Sequence, residues 1–234
     1  MLELFYWPTI PGRGEFVRLI LEDLGLTYVD VARLDPDEGG GFESVSAARQ
    51  GAGFAPPILK DREQGLELNQ TPMICAYLAE SYGELPEHPT IRWQARAMAC
   101  TIEDAVREAH DTHHPITVTR TYEEQQDAAL AAAESFRNER LPSFVTYFER
   151  ILDRNGGHLV ASETTYVDLM LAQLWRGLEW AFPRRLARAE APGIRELVAR
   201  TEDRPRIRAY RASARAIPFN MDGIFRRYPE LDAD

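Results

Sequence analysis

The chain has 234 residues, 44% of them hydrophobic, and a net charge of -10; this fits one large or two small globular domains and excludes disordered and collagen-like classes. The acidic balance argues against nucleic acid or an anionic membrane as a partner, because either would need a basic face. The sequence has no apolar run of about 18 residues and no signal-peptide pattern, so we expect a cytoplasmic protein that neither spans nor binds a membrane.

The first 82 residues predict alternating strands and helices. The hydrophobic and aromatic patterns predict strands at residues 2–7, 26–32, 57–60 and 66–68. Apolar residues at helical spacing predict helices at residues 16–24, 42–50 and 71–81. Gly25 ends the first helix, and the turn over residues 61–65 makes the last two strands a hairpin. The predicted order is therefore βαβ followed by ββα.

After Pro86 the strand signals nearly vanish. Helical patterns cover residues 90–114, 122–154, 193–201 and 204–213. Pro142 should kink the second of these helices or begin a new one, because proline lacks the N–H that a helix interior needs. Thr165 and Asp168 have the spacing of a capping box, which predicts another helix start. We therefore predict an α/β domain at 1–82, a linker at 83–89 and an all-helical domain with a C-terminal tail at 90–234.

Several short motifs resemble one known family, the cytosolic glutathione transferases of the tyrosine type. The run Leu4-Phe5-Tyr6-Trp7-Pro8, followed by Gly12-Arg13-Gly14-Glu15, is similar to the opening of that family. Residues 55–59, 68–79 and 165–169 resemble later family motifs in the same order. The resemblance implies a thioredoxin-like N-terminal domain, an all-helical C-terminal domain and a homodimer. It also implies that glutathione is the co-substrate and a hydrophobic electrophile the second substrate.

The resemblance implies that Tyr6 is the hydroxyl that activates the glutathione thiol. The alternative is a buried structural tyrosine at the end of a strand. The loop after Tyr6 is one residue longer than in common relatives, which could bring the sulfur toward Trp7 or Thr9 instead. Arg13 lies at the expected start of a helix, where both the guanidinium and the helix N-terminus favour a bound anion.

Further binding residues follow from the same resemblance. Pro57 matches the cis-proline of the family, and the backbone of the residue before it contacts the tripeptide. That residue is Pro56 here, which can accept a hydrogen bond but has no N–H to donate. Without this N–H donor glutathione would bind more weakly, and a somewhat different ligand is the alternative.

The two carboxylates and the ammonium group of glutathione each need a partner. Gln70 and Thr71 match the pair that holds the γ-glutamyl carboxylate, although Thr71 also fits a simple helix N-cap. Asp104 aligns with an aspartate that relatives lend across the dimer interface, against the alternative of a solvated helix face. Arg49 is preferred to Lys60 as the candidate for the glycyl carboxylate, against the alternative that both are solvated surface charges.

His110, His113 and His114 are the strongest indication of a different kind of site, because their spacing places them on one face of a helix. We predict no metal site, since three ligands on one helix rarely close a site without another ligand. A histidine facing the electrophile pocket and an ordinary helix end are the alternatives. Cys75 and Cys100 lack metal-ligand spacing and are expected to be core thiols. The alternative functions are a glutathione-dependent isomerase or peroxidase, and a binding protein without turnover.

Overall fold

The computed structural model describes residues 1–51, 53–83, 85 and 88–233. These residues form two compact units. One unit contains Met1–Arg96 and Glu202–Pro218, and the other contains Ala97–Thr201 and the chain from Phe219 onward. The domain division at residues 83–89 stays a prediction, and residues 84, 86 and 87 of that linker lie outside the described residues.

The first unit is built on a four-stranded sheet. Its strands are β1 (Leu2–Phe5), β2 (Tyr28–Asp30), β3 (Ile58–Asp61) and β4 (Leu66–Asn69), in the spatial order β2-β1-β3-β4. β1 runs parallel to β2 and antiparallel to β3, which pairs antiparallel with β4. The accompanying helices are α1 (Gly12–Leu24), α2 (Gly41–Ala48) and α3 (Thr71–Tyr82). This βαβ–ββα arrangement confirms the predicted thioredoxin-like fold.

The strand predicted at 26–32 is shorter in the structure, where β2 ends at Asp30. The Asp30 carboxylate accepts a hydrogen bond of 2.7 Å from the Arg18 guanidinium. The chain then turns into a single 3-10 turn over Val31–Arg33, which buries Ala32. Gly25 ends α1 in the left-handed conformation at φ 68°, as its position in the sequence predicts.

The remaining helices account for most of the second half of the chain. They are α4 (Pro89–Asp111), α5 (Gln126–Ser135), α6 (Leu141–Arg154), α7 (Tyr166–Ala181), α8 (Pro183–Ala187), α9 (Pro192–Glu202) and α10 (Pro205–Arg211). The prediction of an all-helical C-terminal region is confirmed, since no strand occurs after β4 in the described part of the chain. None of the described helices combines the length and apolar character that a membrane span requires.

The long helix predicted at 122–154 is divided in the structure. A 3-10 turn at Glu123–Gln125 precedes α5, and a π-helical turn at Phe136–Arg140 separates α5 from α6. Pro142 lies in the first turn of α6, where its missing N–H costs no helical hydrogen bond. The expectation that Pro142 begins a new helix is therefore confirmed.

The predicted capping box starts α7. The Asp168 carboxylate accepts hydrogen bonds from the backbone N–H of Thr165 at 2.8 Å and from its hydroxyl at 2.9 Å. A third bond comes from the backbone N–H of Leu159 at 3.1 Å. The prediction for the cysteines holds for Cys75, which is buried, but is wrong for Cys100, which is exposed because it falls on the outer face of α4.

Candidate functional site

The pairing of three strands places residues of the proposed site at one end of the sheet. Phe5 at the end of β1 pairs with Ile58 at the start of β3, and Ile58 pairs with Asn69 at the end of β4. The residues just beyond these strand ends are Tyr6, Pro57 and Gln70, and the sequence predicts all three as site residues. Strand register therefore brings together residues that lie far apart in the sequence.

Tyr6 lies at the end of β1 and is 4% exposed. Its hydroxyl oxygen accepts a hydrogen bond of 2.8 Å from the backbone N–H of Arg13, the second residue of α1. A donor aimed at the phenol oxygen polarises the O–H bond and strengthens the hydroxyl as a donor in turn. The structure thus joins the predicted activating hydroxyl to the helix N-terminus that the sequence marks as an anion site.

Two glycines make room for the ring of Tyr6. A Cβ at Gly12 would lie 2.1 Å from the Tyr6 hydroxyl oxygen, and a Cβ at Gly14 would lie 2.5 Å from a ring carbon. Gly12 also has φ +42°, a conformation that other residues rarely adopt. The Gly12-Arg13-Gly14 motif is therefore required by the close approach of α1 to Tyr6.

A buried cation lies beneath Tyr6. The Arg18 guanidinium carbon is 5.9 Å from the Tyr6 ring centroid, and the Arg18 side chain is fully buried. Burial opposes its charge, but Asp30 and Glu15 outweigh that effect and raise the pKa of Arg18. Arg18 was not among the site residues predicted from the sequence. A charged residue between the core residues Val17 and Leu19 was the signal that could have identified it.

The loop after Tyr6 carries the two other residues that were considered as neighbours of the glutathione sulfur, and their surroundings differ. Trp7 is half-buried and packs against Phe42 with ring centroids 6.0 Å apart, whereas Thr9 is exposed. The Trp7 side chain is thus engaged with α2, since Phe42 belongs to that helix.

The segment from α2 to β3 brings Arg49 to the same end of the sheet. Ala48, the last residue of α2, packs in one core cluster with Phe5 and Ile58. Arg49 follows directly; it is exposed and donates from Nε to the carbonyl of Phe54 at 3.2 Å. Lys60, the other candidate for the glycyl carboxylate of glutathione, forms an ion pair with Glu67 at 3.0 Å.

The peptide bond between Pro56 and Pro57 is cis, as the resemblance implies. Pro57 is buried and Pro56 is half-buried. The backbone of Pro56 therefore offers a carbonyl oxygen at this position and no N–H group.

Gln70 and Thr71 form the start of α3. Gln70 has φ 71°, and no other non-glycine residue in the described part of the chain has a positive φ. Such conformations cluster at ligand-binding positions. The Thr71 hydroxyl is buried and has no hydrogen-bond partner within the described ranges. A buried hydroxyl at a helix N-terminus, where the first N–H groups also lack helical partners, is suited to a carboxylate.

Asp104 belongs to a different compact unit from the other candidate binding residues. It lies on α4 in the second compact unit and is exposed. The structure does not bring it into the first unit, where the other proposed binding residues are found, so its role stays a prediction about a second copy of the chain.

These residues fit an anionic tripeptide in their chemistry. Arg13 and Arg49 supply positive charge in a chain whose net charge is -10. Thr71 supplies an unpartnered buried hydroxyl, and Pro56 supplies a backbone acceptor. Tyr6 adds a hydroxyl that is fixed by a backbone N–H. The site can thus bind carboxylates and an amide, and can place a hydroxyl where a thiolate would accept a hydrogen bond.

Comparisons with known proteins give concordant results. A family model described as the C-terminal domain of glutathione S-transferase matches residues 110–214. A glutathione S-transferase of Plasmodium yoelii yoelii is 27% identical over 182 residues, which cover 75% of this chain and 77% of the relative. The class-mu 26 kDa glutathione S-transferase isozyme 51 of Fasciola hepatica is 25% identical over 232 residues, or 99% of this chain and 97% of the relative.

Solved structures agree on the fold. The prostaglandin synthase D of Nilaparvata lugens superposes with a TM-score of 0.73 at 18% identity, and the match covers 93% of this chain and all of that one.

Proposed function

We propose that this chain, which belongs to the glutathione S-transferase family, conjugates the thiol of glutathione to a hydrophobic electrophile. Tyr6 is the proposed activating hydroxyl. The hydrogen bond from the backbone N–H of Arg13 to the Tyr6 hydroxyl, at 2.8 Å, is the observation that carries this proposal. It fixes the phenol at a helix N-terminus, where negative charge is favoured.

The chemistry requires a thiolate near neutral pH. A free thiol has a pKa of about 8.5, and each unit of lowering needs about 1.4 kcal/mol of preferential stabilisation of the thiolate. A hydrogen bond to a charged group contributes about 1.5 to 3 kcal/mol, which is enough for one to two units. The thiolate then attacks the electrophilic carbon, an S–C bond forms, and the displaced electron pair leaves with the departing group or stays on the acceptor.

Glutathione binding uses the remaining residues at this end of the sheet. Thr71 and Gln70 hold the γ-glutamyl carboxylate, and Arg13 supplies further positive charge beside the sulfur. Arg49 is assigned to the glycyl carboxylate, and the Pro56 carbonyl accepts from the cysteinyl amide. Trp7 lines the site beside Tyr6.

Replacing Tyr6 tests the assignment. Tyr6→Phe removes only the hydroxyl, so turnover with a thiol-conjugation substrate should fall by about tenfold or more, the equivalent of one hydrogen bond to a charged group. Retention on immobilised glutathione should be nearly unchanged. Tyr147→Phe is the matched control, because Tyr147 lies on α6, and should leave both measurements unaltered. Wild-type turnover in Tyr6→Phe would contradict the assignment, and Thr9→Val would then be tested in the same assay.

A second enzymatic function uses glutathione as a true cofactor, in isomerisation or peroxide reduction. The structural likeness to a prostaglandin synthase D favours the isomerase of these two. A third possibility is a binding protein without turnover, for which the missing N–H of Pro56 is the argument. Assays of conjugation, isomerisation and peroxide reduction on the same preparation distinguish these functions. Glutathione binding with no turnover in any assay would support the third, and absence of glutathione binding would contradict all of them.

We further propose a homodimer, in which Asp104 of one copy serves the ammonium group of the glutathione bound by the other. Large exposed apolar side chains in the first unit support it, because a second copy of the chain that covered them would remove their apolar surface from water. Phe54 is 85% exposed and Trp93 is 66% exposed. A cytoplasmic role in detoxification accords with this proposal.

Mass measurement in solution tests the dimer. Phe54→Ser should shift the chain toward the monomer in size-exclusion chromatography with light scattering, because it removes an apolar contact from the interface. Val118→Ser is the control, since Val118 is 69% exposed and lies in the second unit. A wild-type chain that is monomeric at micromolar concentration would contradict the proposal.

A further inference from the structure

Three of the five histidines lie together where α4 ends. One ring nitrogen of each of His110, His113 and His114 falls in a group whose members all lie within 4.8 Å of one another. The backbone N–H groups of His113 and His114 both bond to the carbonyl of His110, at 3.2 and 3.3 Å, so the last turn of the helix fixes their spacing. A helix C-terminus favours positive charge.

The tautomer of His113 is determined by its surroundings. Its Nε2 lies 2.7 Å from the carbonyl oxygen of Ile224, which can only accept, so Nε2 carries the proton. With that proton on Nε2, the second ring nitrogen, Nδ1, is the atom that can offer a lone pair to a ligand. A ligating histidine typically donates its second nitrogen to a carbonyl in this way.

The Nδ1 lone pair of His113 points at a second imidazole. Nδ1 of His114 is 2.5 Å away, so close that either one nitrogen donates to the other or a cation lies against both. The third ring stacks on this pair, with the centroids of His110 and His114 5.2 Å apart.

In place of the sequence prediction of no metal site, we propose that His110, His113 and His114 form a binding site for a divalent zinc-like ion, with one imidazole nitrogen from each residue and a solvent molecule in the fourth position. Zn–N bonds are about 2.0 to 2.1 Å long, so the present spacing needs each ring to shift by roughly 1 Å or less. The site opens to solvent through the His110 side chain, which is 19% exposed. The three histidines belong to the second unit, and the proposal does not depend on the proposed transferase activity.

Two charged groups act on the cluster in opposite directions. Asp111 is favourable, with a carboxylate oxygen 3.6 Å from His110 Nδ1. Arg226 is unfavourable, because its positive charge acts on His113 and His114 and would repel a cation bound between them. Its side chain donates from Nε to the carbonyl of Gly223 at 3.0 Å. Removing the Arg226 charge should therefore strengthen metal binding.

Titration of the full chain with Zn²⁺ by calorimetry tests the site. We expect one ion per chain in the wild type, and affinity at least about tenfold lower in His110→Ala and in His114→Ala, since even supporting residues of metal sites contribute that much. Co²⁺ should give the visible d–d absorption of a tetrahedral site. His88→Ala is the control, because His88 is exposed and outside the cluster, and should bind like the wild type.

A third variant guards against loss of folding. Arg226→Met should raise the Zn²⁺ affinity severalfold, a gain that a misfolded chain would not produce. Absence of Zn²⁺ binding in the wild type would overturn the proposal. Unchanged affinity in the correctly folded His110→Ala and His114→Ala variants would overturn it as well.

Discussion

Thr71 is better explained by a ligand than by helix capping. The N-cap residue of α3 is Gln70, so the alternative of Thr71 as a simple N-cap is wrong, and the Thr71 hydroxyl is buried without a described partner. An unpartnered buried hydroxyl carries a desolvation cost, which a bound carboxylate would offset. Tyr6 differs, because its hydroxyl already accepts a backbone hydrogen bond. The two residues should therefore respond differently to removal of their hydroxyl groups.

Thr71→Val should separate binding from stability. The KM for glutathione should rise by about tenfold or more, because a hydrogen bond to a charged group is lost. The free energy of unfolding without ligand should be unchanged or higher, since valine removes a polar group that has no partner. Thr201→Val is the matched control: its hydroxyl is also buried and unpartnered among the described residues, but it lies on α9 in the second unit. An unchanged KM in Thr71→Val would contradict the assigned role.

At the scale of elements, single acidic residues join neighbouring segments. Asp168 ties the start of α7 to Leu159, and Asp61 ties the end of β3 to α3. The Asp61 carboxylate accepts from the hydroxyls of Tyr77, at 2.6 Å, and Tyr82, and from two backbone N–H groups of the following turn. Burial alone would raise the pKa of Asp61, but these hydrogen bonds outweigh it and hold the pKa below the usual range.

Asp61 should therefore make stability depend on pH. A carboxylate with a lowered pKa stabilises the folded state above its unfolded pKa of about 3.9, and this stabilisation is lost as the pH falls through the lower folded value. Asp61→Asn should lower the free energy of unfolding by about 1 to 3 kcal/mol at pH 7, and the difference from wild type should shrink below about pH 4. Urea denaturation at several pH values measures it.

The exposed Asp203 provides the control for this comparison, since its side chain is 85% exposed. Asp203→Asn should leave the unfolding curves unchanged at every pH. A difference between Asp61→Asn and wild type that stays constant down to pH 2 would show that the carboxylate charge is not the cause.

At the scale of the whole molecule, a late segment completes the first unit. Residues 202–218 belong with the N-terminal region, although about half of the chain lies between them. Glu15 on α1 is fully buried and accepts from the Tyr210 hydroxyl at 2.9 Å and from Arg211 at 2.7 Å. Arg204 binds Asp23 through two hydrogen bonds. The buried charge of Glu15 thus depends on partners from α10.

A double-mutant cycle measures this connection. Tyr210→Phe should destabilise the chain by about 1 to 3 kcal/mol, because it leaves the buried Glu15 carboxylate with one donor fewer. In a Glu15→Gln background the same substitution should cost less, since the acceptor is then uncharged. Tyr147→Phe should have little effect in either background. Equal costs of Tyr210→Phe in both backgrounds would contradict the coupling.

Local signals in the sequence determined the elements of this protein. The aromatic-rich run of β1, the end of α1 at Gly25 and the capping box at Thr165 each depend on neighbouring residues, so local composition and turn chemistry are sufficient to predict them. The family motif likewise identified Tyr6 and Thr71 as candidates before their positions were known. The end of β2 at Asp30 was not predicted, and there the Asp30 carboxylate accepts a hydrogen bond from Arg18 of α1. The sequence did predict that Pro142 would kink or divide the helix at 122–154, but it did not predict the π turn that precedes α6.

Only the tertiary structure decided which residues meet. Strand register places Tyr6, Pro57 and Gln70 at one end of the sheet, and the pairing of strands far apart in sequence cannot be deduced from local patterns. Partners for the buried Glu15 come from 195 and 196 residues away. The neutral tautomer of His113 depends on a carbonyl 111 residues further along the chain. Buried polar groups need partners wherever the fold supplies them, and that requirement is satisfied only once the chain has packed.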